Sequence, residues 1–327
     1  MQVLKDSYGR TLDYLRLSVT DRCNFRCYYC MPEEGMDFAS AASLLSFDEL
    51  QRLSALFCNL GVKKIRITGG EPFVRAGLMP FLSHISALPG LEEITLTTNG
   101  TLLEKHLSEL QRLRIRKINL SLDSLSRARF FQITRRDNFD QVYAAVFRLL
   151  DEGFEIKLNC VVAAGVNTDD IIPFIELTKE HQLAVRFLEE MPFNGGDHQH
   201  AATWSHHDMM EHISAEFPVL ERLPAEPSST SVNYRVPGYS GQFGIIPSFS
   251  RTFCGTCNRI RLSATGALRT CLYGPPVANL RDLLRAGATD AALSDSIIAA
   301  IGRREKDGFA AEAANAATHH SMSVLGG

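Results

Sequence analysis

The sequence lacks the long apolar run that a membrane-spanning helix needs. Although 45% of its 327 residues are hydrophobic, no stretch approaches the roughly 20 consecutive apolar residues of a span. The first 20 residues mix polar and apolar types and do not resemble a secretory signal or a transit peptide. We therefore expect a cytoplasmic protein with no membrane partner.

The chain also lacks a strong excess of charge of either sign. Its 34 lysine and arginine residues against 37 aspartate and glutamate residues give a formal net charge of −3. Nucleic-acid binders usually carry a basic excess, so we expect no nucleic-acid partner. An anionic substrate would instead need a local cationic pocket.

Cysteines are few but grouped. The first three form the run Cys23-x3-Cys27-x2-Cys30, and no fourth follows until Cys58. Thiols in a chain without a secretory signal are expected to be ligands or free thiols, not disulfides. Iron–sulfur clusters are normally held by four thiolates, so three suggest a cluster with one iron left open to a small molecule. A structural zinc site and scattered core cysteines are the alternatives.

Short apolar strands alternate with helix-length segments from residue 12 to about 191. The predicted strands are 12–19, 63–68, 93–98, 116–122, 155–162 and 183–189. One helix is expected over 46–60, where Ser46 and Glu49 form a capping box, and another over 140–152, ended by Gly153. This alternation predicts parallel βα units in an α/β protein, as an open (β/α)6 sheet or partial barrel.

The predicted strands are apolar on one face and polar on the other, because successive side chains alternate. The polar face carries the basic residues Arg16, Arg66, Lys157 and Arg186, together with Tyr14, Thr97, Ser121 and Asn159. A closed barrel would fill its interior with branched apolar side chains, so this face predicts a cavity for a charged ligand. Alternatively, individual basic residues pair with buried carboxylates such as Glu71 or Asp123.

The pattern changes past about residue 195, which predicts a first domain at 1–195 and a smaller second domain at 196–327. Residues 194–207 are rich in glycine, histidine and glutamine, and a helix is expected near 207–217. A loop over 223–231 precedes β-like stretches at 232–236, 242–246 and 259–272, and the end of the chain is helical and alanine-rich.

The second domain contains its own group of three cysteines. Cys254-x2-Cys257 is followed, after thirteen residues, by Cys271. Segments 259–263 and 267–272 predict a hairpin around the turn 264–266, which would place Cys271 opposite Arg259 and bring the three thiols together.

The identity of the metal at this second group is open from spacing alone. C-x2-C with a third cysteine is more often a zinc site, but zinc would need a fourth ligand. His206, His207 and His212 are candidates only if the domain folds back; a solvated loop and helix face is the other interpretation of this stretch. A second three-thiolate iron–sulfur cluster is the alternative, and it fits better beside the first.

Several of these features together match one family. The paired cysteine motifs, the run Cys257-Asn258-Arg259-Ile260-Arg261 and the terminal Gly326-Gly327 resemble the GTP 3′,8-cyclase family. These lyases are radical S-adenosylmethionine (SAM) enzymes that begin molybdenum-cofactor biosynthesis. The resemblance runs from Tyr14 to the last residue. It implies a partial (β/α)6 TIM-like barrel with a smaller C-terminal α+β domain, and SAM and two [4Fe-4S] clusters as cofactors.

The resemblance also implies roles for individual residues. Cys23, Cys27 and Cys30 would hold the first cluster, and Cys254, Cys257 and Cys271 the second. SAM would be bound by Tyr29, Gly70, Glu71, Ser121 and Met191, and GTP by Arg16, Arg66, Thr97, Lys157, Arg259 and Arg261. Arg186, Arg259, Arg261 and the Gly326-Gly327 tail would take part in catalysis; the alternative for the tail is a disordered end.

Gly69 and Gly70 have a physical interpretation of their own. A backbone without Cβ can approach a ligand closely, so we expect this pair to lie against SAM. The alternative is a plain turn from strand to helix.

The resemblance implies a reaction in which a 5′-deoxyadenosyl radical removes the C3′ hydrogen of GTP. The C3′ radical then attacks C8, and reduction gives 3′,8-cyclo-7,8-dihydro-GTP. A reductant protein such as a flavodoxin or ferredoxin and a downstream cyclic pyranopterin monophosphate synthase would be partners, and a homodimer is left open. The alternatives are another radical SAM enzyme with an auxiliary cluster, such as a peptide maturase, and a zinc-stabilised nucleotide-binding module.

Overall fold

A single mixed sheet organises the protein. The computed structural model describes residues 3–191, 193, 204–225, 228–315 and 321–326. Six parallel strands lie side by side in chain order: β1 (Tyr14–Ser18), β2 (Lys64–Thr68), β3 (Glu93–Thr98), β4 (Lys117–Ser121), β5 (Glu155–Val162) and β6 (Ala184–Glu189). Each differs from its predicted bounds by at most two residues.

The later strands extend this sheet on both sides. They are β7 (Glu221–Arg222), β8 (Val232–Arg235), β9 (Gln242–Ile246), β10 (Arg259–Leu262), β11 (Ala267–Arg269) and β12 (Ala278–Asn279). The spatial order is β12-β11-β10-β1-β2-β3-β4-β5-β6-β9-β8-β7. Strand β10 is parallel to β1 and strand β9 is parallel to β6, whereas the outer pairs are antiparallel.

Helices connect the strands. In the described part of the chain they are α1 (Phe47–Asn59), α2 (Leu78–Ile85), α3 (Leu107–Arg112), α4 (Arg127–Thr134), α5 (Phe139–Asp151), α6 (Ile171–Leu177), α7 (His206–Glu216), α8 (Leu280–Arg285), α9 (Asp290–Gly302), α10 (Gly308–Ala313) and α11 (Met322–Leu325). The capping box of Ser46 and Glu49 is confirmed, and Gly153 ends α5 with a φ of 72°. None of the described helices is both long and apolar enough to span a bilayer.

The apolar strand face forms the main core. Leu15 and Leu17 of β1 and Ile65 and Ile67 of β2 are completely buried, as the alternation predicts. Burying one such side chain contributes about 1.5–3 kcal/mol. The same core includes residues from β9 and β10. The predicted boundary at residue 195 falls among residues that lie outside the described part, and the division into two domains stays a prediction.

Candidate active site

The two groups of three cysteines lie at opposite edges of the parallel sheet. Cys23, Cys27 and Cys30, the first triad, follow β1 and therefore lie at its carboxyl edge. Cys254 and Cys257 precede β10, which is parallel to β1, and Cys271 follows the antiparallel strand β11. These three, the second triad, therefore lie at the amino edge. The hairpin register pairs Arg261 with Arg269, which confirms the predicted hairpin.

The loop of the first triad is tied to neighbouring elements by its backbone. The Arg26 amide donates to the Thr134 carbonyl oxygen at 3.0 Å, at the end of α4. Asn24 Nδ2 donates to the Thr101 hydroxyl at 2.8 Å, and Asn24 Oδ1 accepts from the side-chain nitrogen Nδ2 of Asn99 at 2.8 Å. The loop is thus fixed on residues that follow β3 and end α4.

Gly69 and Gly70 support this loop through backbone contact. The Gly70 amide donates to the Thr20 carbonyl oxygen, and the Glu71 amide to that of Arg22, both at 2.8 Å. A Cβ on Gly69 would lie 2.6 Å from the Thr20 carbonyl oxygen, and one on Gly70 would overlap that of Arg22. The close approach that requires glycine at these two positions is to the protein's own backbone, and their contact with SAM stays a prediction.

Glu71 is buried and fully engaged. One oxygen accepts from the Thr98 hydroxyl at 2.8 Å and from the Phe73 amide at 3.1 Å, and the other from the Asn99 amide at 2.7 Å. Burial raises the pKa of Glu71 to about 7, although these hydrogen bonds oppose the rise. The carboxyl group is positioned beside the first triad, since it also contributes to the raised pKa of Cys23.

A second buried carboxyl group orients the tyrosine of the triad loop. The Tyr29 hydroxyl donates to Asp123 Oδ2 at 2.7 Å, while the Val161 amide donates to Oδ1 at 2.9 Å. Burial raises the pKa of Asp123 to about 6. Asp123, which follows β4, thus connects the loop of the first triad to the end of β5, a contact that the sequence did not reveal.

The chemistry of the first triad fits a metal cluster. Burial raises the pKa of Cys23 to about 12 and raises the pKa of Cys27 and Cys30 as well, and the thiols of Cys23 and Cys30 add to the rise at Cys27. Such thiols stay protonated unless a cation binds them, and metal binding displaces those protons. All three are free and partly exposed, whereas Cys58 and Cys160 are buried, as predicted.

The second triad has a more electropositive setting. Burial opposes ionisation of Cys257, but Arg259 and Arg304 outweigh it and lower the Cys257 pKa to about 7. Arg259 Nη1 donates to Cys257 Sγ at 3.5 Å. Arg304 Nη1 is buried and makes no hydrogen bond among the described residues, although it lies 3.9 Å from Asp6 Oδ2 in an ion pair. Three free thiols beside a partly unsatisfied arginine fit an anionic iron–sulfur cluster.

The zinc alternative requires side chains that converge on one ion. Within the described ranges, no group of three or more histidine, cysteine, aspartate or glutamate residues converges on a single ion, and this is true of the two cysteine triads as well. His206 begins α7 and bonds to Glu189 through its amide, at 2.7 Å, and through Nδ1, at 3.0 Å. His212 packs against the Trp204 ring. His206 at the start of α7 and His212 within it therefore both make structural contacts inside the protein.

A cavity of about 300 Å³ lies beside the second triad. Its lining includes the predicted site residues Arg16, Arg66, Thr97, Lys157, Arg186, Met191, Arg259 and Arg261, the thiols Cys254, Cys257 and Cys271, and the further residues Tyr14, Lys64, Asn159, Arg251 and Asn258. Tyr14 and Asn159 were predicted to lie on the polar face of the strands, but the sequence pattern indicated no role for either residue. The structure thus gathers the basic residues of five parallel strands around one space.

Three arginines form a row across neighbouring strands. The register pairs Arg16 with Arg261 on one side and with Arg66 on the other. Burial and, after it, the charge of Arg66 lower the pKa of Arg16 to about 10. Arg16 Nε is buried and has no hydrogen-bond partner in the part of the chain that the structure describes. Buried like charges destabilise one another, and an anion in the cavity would relieve that repulsion.

The C-terminal segment contacts both the first triad and residues that line the cavity. Ser321 Oγ lies 3.8 Å from Cys30 Sγ, and Met322 lines the cavity. Five residues beyond Ser321, Gly326 accepts a hydrogen bond at its carbonyl oxygen from Arg261 Nη1, at 3.0 Å. Gly326 has a φ of 77°, which favours glycine. Gly327 lies outside the described residues, so its predicted role is not addressed by the structure.

The residues predicted to bind SAM separate into two groups. Met191 lines the cavity, whereas Tyr29, Gly70, Glu71 and Ser121 lie outside its lining and at the carboxyl edge. That edge also carries the first triad. Met191 follows β6 and therefore lies at the same edge, so the cavity extends from the second triad to the edge that carries the first.

Family models match most of the chain. Residues 17–178 match the Radical SAM superfamily, and residues 183–310 match the family described as Molybdenum Cofactor Synthesis C. Two solved structures share the fold. SuiB of Streptococcus suis bound to S-adenosylmethionine has a TM-score of 0.60 at 14% identity over 88% of this chain and 68% of that one. Native anSMEcpe with bound AdoMet and a peptide has a TM-score of 0.57 at 13% identity, over 95% and 88%.

Curated relatives are much more similar in sequence. GTP 3′,8-cyclase of Chlorobaculum tepidum is 39% identical over 99% of this chain and 97% of its own length. The mitochondrial GTP 3′,8-cyclase of Arabidopsis thaliana is 40% identical over 93% and 78%. Molybdenum cofactor biosynthesis protein 1 of Homo sapiens is 42% identical over 93% of this chain, which spans about half of that relative's length.

These matches confirm the predicted α/β radical SAM fold, and the superfamily implies SAM and one [4Fe-4S] cluster as cofactors. The Chlorobaculum tepidum relative, matched over 97% of its length at 39% identity, also identifies the family within this superfamily. The chain belongs to the GTP 3′,8-cyclase family of radical SAM enzymes.

Proposed function

We propose that the protein converts GTP to 3′,8-cyclo-7,8-dihydro-GTP, the first step of molybdenum-cofactor biosynthesis. The observation that carries this proposal is the cavity lined by Arg16, Arg66, Arg261 and the second triad, which combines a site for phosphate with a site for a metal cluster. The names of the relatives from Chlorobaculum tepidum and Arabidopsis thaliana support the choice of substrate.

The arginine row would bind the triphosphate. Arginine presents a planar fork of donors that matches phosphate oxygens, and it stays charged at neutral pH. Arg16, Arg66 and Arg261 lie at one level of three adjacent strands. Lys157 and Arg259 line the same cavity and would neutralise further phosphate charge, while Thr97 would donate from its hydroxyl.

The second triad would hold a second [4Fe-4S] cluster that faces the substrate. Cys254, Cys257 and Cys271 line the cavity together with the nucleotide-binding residues. Three protein thiolates leave one iron without a protein ligand, and in our proposal the guanine base occupies that position. Arg304 would stabilise the negative charge that the thiolates and sulfides bring into a buried site.

The first triad would hold the cluster that binds SAM, and that cluster, when bound, supplies the electron that cleaves SAM to methionine and a 5′-deoxyadenosyl radical. Tyr29, Glu71 and Ser121 lie at this edge and would position SAM, with Gly70 fixing the loop and Met191 reaching the cavity. Asp123 would keep Tyr29 in place through its hydrogen bond.

The residues of the chain would hold SAM and GTP in the relative orientation that the reaction requires. In the proposed reaction the C3′ hydrogen atom of GTP would pass to the 5′-deoxyadenosyl group supplied by SAM, which would give 5′-deoxyadenosine. C3′ would then bond to C8 of the guanine, and one electron and one proton from outside the chain would complete the dihydro product. Arg186, Arg259, Arg261 and the terminal glycines would exclude water and keep C3′ oriented during these steps.

The proposal implies partners outside the chain. A one-electron donor such as a flavodoxin or ferredoxin would supply both electrons, and a cyclic pyranopterin monophosphate synthase would consume the product. A homodimer is compatible with this scheme. A cytoplasmic location stays a prediction, because the Arabidopsis relative is named as mitochondrial.

The proposal is tested with protein that is reconstituted with iron and sulfide under anaerobic conditions. The protein receives SAM, dithionite and either GTP, ATP or a peptide mixture, and 5′-deoxyadenosine is measured. We expect formation that depends on GTP. Formation that depends on peptide would support a maturase instead, and no formation by iron-loaded protein would contradict the enzymatic activity itself.

A further inference from the structure

Tyr14 lies among basic residues of the cavity lining, of which Lys64 is ion-paired with Glu93. It begins β1, two residues before Arg16 on the same strand face, and lines the cavity while only 7% exposed. Across the neighbouring strands it is in register with Lys64 on β2 and with Arg259 on β10. The tyrosine therefore lies between two cations at the amino edge of the sheet.

The Tyr14 hydroxyl has no hydrogen-bond partner among the described residues, although it is buried. A buried hydroxyl without a partner destabilises a protein, so native structures nearly always provide one. Here the hydroxyl borders a cavity, which leaves a ligand as its partner. An orphaned polar atom of this kind indicates a contact made in the bound state.

The surroundings of the ring define the charge of that ligand. Lys64 Nζ lies 5.2 Å from the ring centroid, and the Cζ atoms of Arg66 and Arg259 lie at 5.5 and 6.0 Å. These are cation–π distances, so the ring holds three cations around itself. Burial opposes ionisation of the phenol, but Arg66, Arg16, Lys64 and Arg259 together lower the Tyr14 pKa. An anionic oxygen is the group that such surroundings favour.

Position along the strand indicates which part of the substrate this is. A strand rises about 3.3 Å per residue, so Tyr14 lies about 7 Å farther than Arg16 from the edge that carries the first triad. The reacting sugar must lie toward that triad, where SAM is bound in the proposed function. In the proposed function the guanine base, at the second triad, and the terminal phosphate both extend from the sugar toward the amino edge, and the cations around Tyr14 favour the phosphate at this residue.

We propose that Tyr14 is a substrate-contacting residue that donates a hydrogen bond to the terminal phosphate of the nucleoside triphosphate. Its ring holds Lys64, Arg66 and Arg259 around the same phosphate. Together these contacts make the site select a triphosphate over a diphosphate. This assignment rests on the proposed function and adds a determinant of specificity to it.

The test separates the hydroxyl from the ring. Tyr14→Phe removes the hydroxyl alone, Tyr14→His keeps a ring and a donor, and Tyr14→Leu removes both. Tyr143→Phe is the matched control, because Tyr143 stacks on Phe139 in α5 and does not line the cavity. Affinities for GTP and GDP are measured by anaerobic equilibrium dialysis of the iron-loaded proteins, at one magnesium concentration, with iron content and melting temperature as checks of folding.

We expect Tyr14→Phe to weaken GTP binding about ten-fold or more, the scale of a hydrogen bond to a charged group, and to change GDP binding about two-fold at most. The GTP-to-GDP affinity ratio should fall, be partly restored in Tyr14→His and be unchanged in Tyr143→Phe. A loss of packing alone would weaken both nucleotides equally, and in Tyr14→Leu we expect both to weaken because the cations lose their support.

An unchanged ratio in Tyr14→Phe would overturn the assignment while leaving the proposed function intact. Equal affinity of the unaltered protein for GTP and GDP would overturn it too. If the unaltered, iron-loaded protein bound neither nucleotide, the proposed function would fail as well, so the two failures are distinguishable.

Discussion

Arg261 donates a hydrogen bond from Nη1 to the carbonyl oxygen of Gly326 at 3.0 Å. The bond joins a cavity-lining arginine of β10 to the end of the C-terminal segment, whose other end lies beside Cys30. A substrate phosphate would compete with Gly326 for the same guanidinium group. We therefore expect the position of the tail and the binding of a nucleotide to be coupled through Arg261.

Substituting Gly326 should displace this tail. Gly326→Ala places a Cβ about 2.9 Å from Ser18 Cβ in a backbone conformation with a φ of 77°, so both sterics and backbone strain oppose it. We expect faster proteolysis of the C-terminal segment and at least a ten-fold loss of GTP-dependent turnover. Gly287→Ala is the control, because Gly287 has a φ of 85° but an open Cβ position. Equal behaviour of the two variants would contradict a specific role for the tail.

The pair Gly69 and Gly70 should be required to form the first cluster. Gly70→Ala would drive a Cβ into the Arg22 backbone, one residue before Cys23, where overpacking costs about 1–3 kcal/mol. We expect reconstituted protein to lose about four irons per chain, one [4Fe-4S] cluster. Gly302→Ala, whose Cβ would meet nothing within 4 Å, should keep its iron. Full iron loading of Gly70→Ala would show that the loop tolerates the displacement.

The two triads should lose their clusters independently. Cys27→Ala and Cys257→Ala should each retain about four of the eight irons per chain that two [4Fe-4S] clusters require. Cys27→Ala should form no 5′-deoxyadenosine, whereas Cys257→Ala should form it without stimulation by GTP. Cys58→Ala, in the core, should keep both clusters. Iron and sulfide analysis with electron paramagnetic resonance checks this, and zinc in place of iron at Cys257 would contradict the assignment.

Phosphate binding should depend on the arginine row. Arg66→Ala should weaken GTP binding by about 1.5–3 kcal/mol, the range for hydrogen bonds to charged groups. Arg52→Ala is the control, because Arg52 forms an exposed ion pair with Asp290 and should not change GTP affinity. Dialysis under anaerobic conditions measures both. Normal GTP binding by Arg66→Ala would remove the row from the site.

The positions of the strands could be predicted because they follow from the local alternation of apolar and polar residues. In β2, for example, Ile65 and Ile67 alternate with Lys64 and Arg66, and this period of two matches the burial of alternate side chains. The hairpin that β10 and β11 form was likewise predicted from the turn sequence between them. The parallel pairing of β10 with β1 was not predicted, because it depends on contacts between residues more than 240 positions apart.

Within the site, residue types were easier to predict than their surroundings. The triads could be identified because cysteine spacing carries metal chemistry directly. The support of Tyr29 by Asp123, and of Cys257 by Arg304, could not, since a buried carboxylate or arginine has no distinctive spacing. Tyr14 lay on the polar face of the predicted strand, but only the structure shows that its hydroxyl is buried with no hydrogen-bond partner among the described residues.

A deuterium label at C3′ of GTP tests directly whether the protein catalyses the proposed cyclisation. The iron-loaded protein is given SAM, a reductant and GTP deuterated at C3′, and 5′-deoxyadenosine is analysed by mass spectrometry. We predict that 5′-deoxyadenosine gains one deuterium and that a cyclised product forms in equal amount. Unlabelled 5′-deoxyadenosine, formed at the same rate with and without GTP, would contradict the proposed cyclisation.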